Sequence, residues 1–119
     1  MIKGPSGATI WSENVSNLLP FYRDTLGLSV RIETPEFVVF GGENGTNLGL
    51  GTHSEVKGET SDPYRHMVGL DSDDLDADFR RLQEAGVEFI EKPTDYDGLR
   101  IATLKDPEGN VIQLFQPVS

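Results

Sequence analysis

The stretch Asp106-Pro107-Glu108-Gly109-Asn110-Val111-Ile112-Gln113-Leu114 decides the fold. Pro107 suits the second position of a tight turn and Gly109 a left-handed residue. The chain therefore reverses here, entering from a strand over Leu99 to Leu104 and leaving on one over Val111 to Gln116. An earlier segment repeats the pattern at an offset of 64: Gly45 matches Gly109, Leu48 matches Ile112, Gly49 matches Gln113 and Leu50 matches Leu114. Further upstream, Leu26-Gly27-Leu28 matches Ala85-Gly86-Val87 at an offset of 59. Because the offset drifts, the repeat is structural and not a recent exact copy.

Outward from these anchors, the hydrophobic period switches between two and about 3.6. Ala8 to Glu13 reads as a strand. Asn14 is a good N-cap for a helix carrying Val15, Leu18, Leu19, Tyr22 and Leu26, with Gly27 as its stop. Pro20 cannot donate to residue 16, which predicts either a kink or a helix that becomes regular only after it. Strands follow at Leu28 to Glu33, Phe37 to Gly41 and Thr46 to Gly51, the last two joined through Glu43, Asn44 and Gly45, where Asn-Gly is a strong hairpin signal. Thr52 to Arg65 turns polar and reads as a solvated linker. The same order then returns: a strand over Met67 to Asp71, a helix capped by Ser72 or Asp73 with Leu75, Phe79 and Leu82 on its apolar face, a stop at Gly86, and strands over Val87 to Glu91, Leu99 to Leu104 and Val111 to Gln116. The expected fold is α+β: two tandem βαβββ units, about 6–52 and 66–117 around a linker of about 53–65, forming one cup-shaped sheet with helices outside. Two small half-sheets cannot each bury a face alone. They should pair within one chain or across a homodimer.

Composition narrows the function. The chain has 119 residues, which is one domain's worth. With no Cys, disulfides and thiolate metal sites are excluded. No run approaches the roughly 18 apolar residues of a spanning helix, and Met1 to Pro5 lacks a signal-peptide core, so a cytoplasmic, membrane-free protein is expected. Twenty acidic residues against 10 basic ones give a formal charge of -10, which argues against nucleic acid, whose binding needs clustered Lys and Arg. Residues 60–119 carry most of that excess in the run Asp71, Asp73, Asp74, Asp76 and Asp78. A helix start explains the run, because carboxylates there complement the dipole. Its spacing is wrong for a calcium loop. Gly41, Gly42 and Gly45 lack the Lys of a phosphate-binding loop.

Phe21-Tyr22-Arg23-Asp24-Thr25-Leu26-Gly27-Leu28, then Asp73-Asp74-Leu75-Asp76-Ala77 with Glu84-Ala85-Gly86-Val87, and finally Asp106 to Leu114, resemble in that order the vicinal oxygen chelate superfamily. This group holds glyoxalase, extradiol dioxygenases and the bleomycin-resistance proteins. The resemblance implies a metal held by side chains from the first and fourth strands of each unit. Carried over, those positions fall on Gly7, Gly49, Met67 and Gln113, of which only Gln113 offers a good donor. No metal cofactor is therefore expected, and the reading closest to the residues is a small-molecule binder like the bleomycin-resistance branch, sequestering an aromatic or cationic compound. The alternative is a lyase, isomerase or dioxygenase with a displaced divalent metal held by His66 and Gln113, or a metal-free catalyst using Asp71, Glu13 or His66 as base.

Strand alternation supplies the candidate ligand-binding residues. Thr9 and Trp11 share a face of the first strand, while Met67, Gly69 and Asp71 share one of the fifth, with Val68 and Leu70 behind. Gln113 and Phe115 join them from the last strand, and Arg100 from the penultimate one. Trp11 can stack on a planar or cationic ligand. Gly7 and Gly49 read as space left for that ligand. His53, at the edge of the linker, reads as a solvated loop residue.

Overall fold

The computed structural model describes residues 1–3, 5–42 and 45–117. The chain divides into two units, 1–58 and 59–119, and each follows the same plan.

In the first unit, strand β1 (Gly7–Ser12) ends where Asn14 caps a short 3-10 turn over Val15–Asn17, its side chain accepting from the Ser16 amide. Pro20 then opens a separate π-helical turn, Pro20–Thr25. At Pro20 the hydrogen bonding thus changes from 3-10 to π, while Leu18 and Leu19 keep right-handed helical dihedrals and the Tyr22 amide donates to the Leu18 carbonyl at 3.2 Å. Pro is tolerated at a first helical position, where no intrahelical donor is needed, and the two short pieces replace one longer helix. Gly27, at φ 78, takes the left-handed position that ends the turn. Strands β2 (Val30–Glu33), β3 (Phe37–Gly41) and β4 (Asn47–Thr52) complete the unit. Their order is β1-β4-β3-β2, with β1 parallel to β4 and the other pairs antiparallel. The Asn-Gly turn between β3 and β4 involves Asn44, which with Glu43 lies outside the described residues; Gly45 is left-handed at φ 85.

The second unit repeats this order as β5-β8-β7-β6, with β5 (Val68–Asp71) parallel to β8 (Val111–Pro117), β7 (Leu99–Lys105) beside it and β6 (Phe89–Tyr96) at the edge. Here the helix is regular: α1 spans Leu75–Glu84, and Leu75 and Leu82 are buried from its inner face. Phe79 meets Phe89 edge-on, ring centroids 4.7 Å apart. The cap is Asp74, whose carboxylate accepts from the Ala77 amide, and not Ser72 or Asp73. Ser72 instead accepts from the Asp74 amide and donates to Asp78. We predict that Asp74→Ala lowers stability by about 1 kcal/mol in urea unfolding, while Asp74→Asn, an equally good cap, leaves it nearly unchanged.

Strand β6 runs well past the expected Glu91, because Asp97 (φ 39) and Gly98 (φ 87) make a tight left-handed turn into β7. In each unit one sheet face is covered. Val15, Leu18, Tyr22, Val38, Phe40, Leu48 and Leu50 are buried in the first; Leu75, Leu82, Ala102, Leu104, Ile112 and Leu114 in the second. The alternate residues of the same strands form the opposite, open face.

Candidate functional site

Side chains of directly paired residues share a sheet face, so the register fixes what each open face presents. In the first unit it carries three rows across the strands: Trp11, Gly51 and Phe37; then Thr9, Gly49 and Val39; then Gly7, Asn47 and Gly41.

The glycines are seats for rings. A Cβ on Gly51 would collide with the six-membered ring of Trp11 and come within 2.8 Å of Phe37 Cδ2. The Cε3–Cζ3 side of the indole therefore sits against β4 at Gly51, with Phe37 tilted beside it at 5.7 Å and His53 edge-on at 5.5 Å. Trp11 keeps 43% of its surface exposed. His53 is ordered by its own loop, its Nδ1 accepting from the Glu55 amide at 3.1 Å. It extends the alternation Asn47, Gly49, Gly51 past the end of β4, a period-two signal that could have placed it beside Trp11 from sequence. Phe37 was equally legible as the residue two before Val39 on a strand whose even members are core.

The space left by Gly7 and Gly49 is therefore smaller than side-chain counting suggests. At Gly49 a Cβ would stand 3.0 Å from both Phe37 Cζ and Thr9 Oγ1, and at Gly7 it would run into the Asn47 carbonyl oxygen. Neither position could accept a ligating side chain without the neighbours moving. With Met67 a thioether, the donor set does not fit a divalent ion. Among the described residues, no three His, Asp or Glu side chains gather as they would have to.

The open face of the second unit has the rows Gly69, Gln113, Thr103 and Glu91; then Asp71, Phe115, Ile101 and Thr94; then Pro117, Leu99 and Tyr96. Phe115 leans over Gly69, Cε2 standing 2.6 Å from where a Cβ would be. Tyr96 donates to Glu91 at 2.7 Å, and that hydrogen bond to a carboxylate, with partial desolvation, holds its phenol above the ordinary range. Met67 and His66 both precede the first paired residue of β5 and are exposed.

Of the residues singled out from sequence, Thr9 and Trp11 thus share one face of the first sheet, and Gly69, Asp71, Gln113 and Phe115 one face of the second. Arg100 does not join them. It pairs with Gln116 and lies on the helix-side face with Ala102 and Leu104, donating to Asp76 of α1 at 2.8 Å and to Asp95 at 2.9 Å. Those two hydrogen bonds, first to Asp76 and then to Asp95, raise its pKa further and tie β7 to the start of the helix. Gln116 beside it caps the same helix, accepting from the Leu75 amide at 2.8 Å.

A family model described as Glyoxalase/Bleomycin resistance protein/Dioxygenase superfamily matches residues 7–114. Among solved structures, TnmS3, an antibiotic binding protein from Streptomyces sp. CB03234, is 27% identical, with 98% of each chain covered and a TM-score of 0.77. A glyoxalase/bleomycin resistance protein/dioxygenase superfamily member from Sphaerobacter thermophilus is 23% identical over 98% of this chain and 99% of that one, TM-score 0.75. A glyoxalase/dioxygenase from Nostoc punctiforme reaches a TM-score of 0.79 at 16% identity, covering 100% and 98% of the two chains.

Proposed function

We propose that this chain, which belongs to the glyoxalase/bleomycin resistance protein/dioxygenase superfamily, is a metal-independent binding protein that sequesters an aromatic or cationic small molecule. The observation that carries the reading is the half-exposed Trp11, laid over Gly51 with Phe37 and His53 at its edges. An exposed ring already held against Gly51, Phe37 and His53 loses little side-chain freedom on meeting a ligand. The first sheet offers no ligating side chain at Gly7 or Gly49, which removes the usual reason for such a face to hold an ion. The 27% identity to a protein described as antibiotic binding supports the same class. The protein acts as a cytoplasmic homodimer; a Cys-free chain needs no oxidising compartment.

Trp11 is the sole tryptophan, so its emission reports the site directly. Titration with bleomycin-type glycopeptides and aromatic amines should quench it saturably and raise the melting temperature. Trp11→Ala should weaken binding at least tenfold while costing about 1 kcal/mol of stability, because the ring is half exposed and loses mainly its pairing with Phe37. A variant that keeps the full thermal shift would remove Trp11 from the site. Stoichiometric Ni, Zn, Mn or Fe in protein purified without added metal, lost on replacing His66 and Gln113, would replace the binder by an enzyme with a displaced metal centre.

A further inference from the structure

We infer that the open face of the first sheet is shaped for an elongated aromatic compound ending in a carboxylate. This rests on the binding function proposed above and narrows its aromatic arm to one ligand class. The three rows of that face differ in chemistry. One end holds the Trp11 and Phe37 rings; the middle, Thr9, Gly49 and Val39, is apolar apart from one hydroxyl. The other end is flat glycine at Gly41, and across it lies the side chain of Arg31, packed where a Cβ would stand.

Among the described residues Arg31 makes one hydrogen bond, Nη1 donating to Asn47 Oδ1 at 2.6 Å. Asn47 fixes the guanidinium without neutralising it, because an amide oxygen carries no net charge. Among the described residues no other acceptor meets the remaining donors of the fork. In a chain with 20 acidic and 10 basic residues, a carboxylate partner is the ordinary fate of an arginine, and Arg23, Arg65, Arg81 and Arg100 each have one. Among the described residues none pairs with Arg31, and no Asp or Glu stands in any of the three rows. A planar guanidinium recognises a carboxylate through two parallel hydrogen bonds. From Asn47 to Gly51 is four residues of strand, roughly 13 Å between the cationic end and the aromatic end. A ligand whose ring lies on Trp11 and whose carboxylate meets Arg31 must therefore be long, flat and apolar between its ends.

The test is calorimetric titration of the full chain with trans-stilbene-4-carboxylate, its neutral carboxamide and the corresponding 4-aminomethyl compound. The carboxylate should bind at least tenfold more tightly than the carboxamide. In Arg31→Gln that advantage should fall below twofold while carboxamide affinity holds. Asn47→Asp, which sets a carboxylate against the guanidinium, should remove the preference by a second route should Arg31→Gln fold poorly. Equal or tighter binding of the carboxamide or the amine, or a preference that survives both substitutions, overturns the inference and leaves the aromatic platform standing, provided Trp11→Ala still weakens binding at least tenfold. Absence of binding by all three probes at millimolar concentration overturns both.

Discussion

Asp106→Ala is expected to lower stability by about 2–4 kcal/mol, more than any surface substitution in the chain. Asp106 is only 5% exposed, and its carboxylate organises the turn between β7 and β8. One oxygen accepts from the Glu108 and Asn110 amides at 2.8 and 2.9 Å; the other accepts from the Asn110 side chain at 2.8 Å. Its backbone closes the same turn, donating to the Asn110 carbonyl at 2.9 Å and accepting from Gly109, itself left-handed at φ 81. Hydrogen bonds to a charged acceptor contribute roughly 1.5–3 kcal/mol each, and the freed amides in this half-buried turn regain only part of that from water. Asp106→Asn keeps an oxygen for the two amides and should cost about 1 kcal/mol. Urea unfolding followed by circular dichroism measures both. A loss below about 0.5 kcal/mol for the alanine variant would mean that Pro107 and Gly109 alone hold the turn. The consequence reaches beyond the turn, because β8 lies between β5 and β7 and a slipped register would move Gln113 and Phe115 to the helix side.

The same turn shows what was legible in the sequence. Its residue types demand one backbone geometry, and so do Gly27 and Gly86, left-handed at φ 78 and 90 after the two helical segments. Local rules therefore located the repeat and with it the common strand order of the two sheets. The first helical segment was legible only as a conflict, since apolar spacing favoured a helix through Pro20 and the missing donor changed its hydrogen bonding from 3-10 to π. The Asp97-Gly98 turn was in plain view. The strand leading into it does not alternate cleanly at Lys92, Pro93 and Thr94, and irregular pairing between Glu91 and Thr94 absorbs that break in the pattern.

The candidate site was less legible, for a different reason. Period two puts Arg100 with Ala102 and Leu104, both fully buried, and that alone places it on the helix-side face. Which glycines are empty and which are occupied is another matter. Gly51 and Gly69 are covered by rings from strands distant in sequence, and no local rule couples Gly51 to Trp11 and Phe37. Gly49 looked like space for a ligand and is instead close beneath Phe37 and Thr9. His53 belonged to a polar linker by composition, yet one further step of alternation brings it against the indole.

Gly51→Ala is expected to weaken binding of aromatic probes at least tenfold while changing stability by no more than about 1 kcal/mol. The added methyl would collide with the Trp11 ring and stand 2.8 Å from Phe37 Cδ2. Both obstacles are the far ends of side chains, and the indole is 43% exposed, so the rings can swing away without opening the core beneath Leu48 and Leu50. Gly51 is strand-paired on both sides, to Trp11 and Phe37, and lies outside the left-handed region, where alanine is favoured over glycine by about 0.5–1 kcal/mol. That gain offsets part of the roughly 1–3 kcal/mol that overpacking costs. Binding has no such compensation, because the ligand needs the indole in its seat at Gly51 beside Phe37. Gly49→Ala is the graded control: its nearest neighbours stand at 3.0 Å, tight but able to give a few tenths of an ångström, and it should cost only a few-fold in affinity. Trp11 emission should shift to longer wavelength in Gly51→Ala before any probe is added, as the ring leaves its seat. Unchanged emission together with full probe affinity would show that the indole does not depend on Gly51, and the platform would then have to be sought around Phe115 over Gly69.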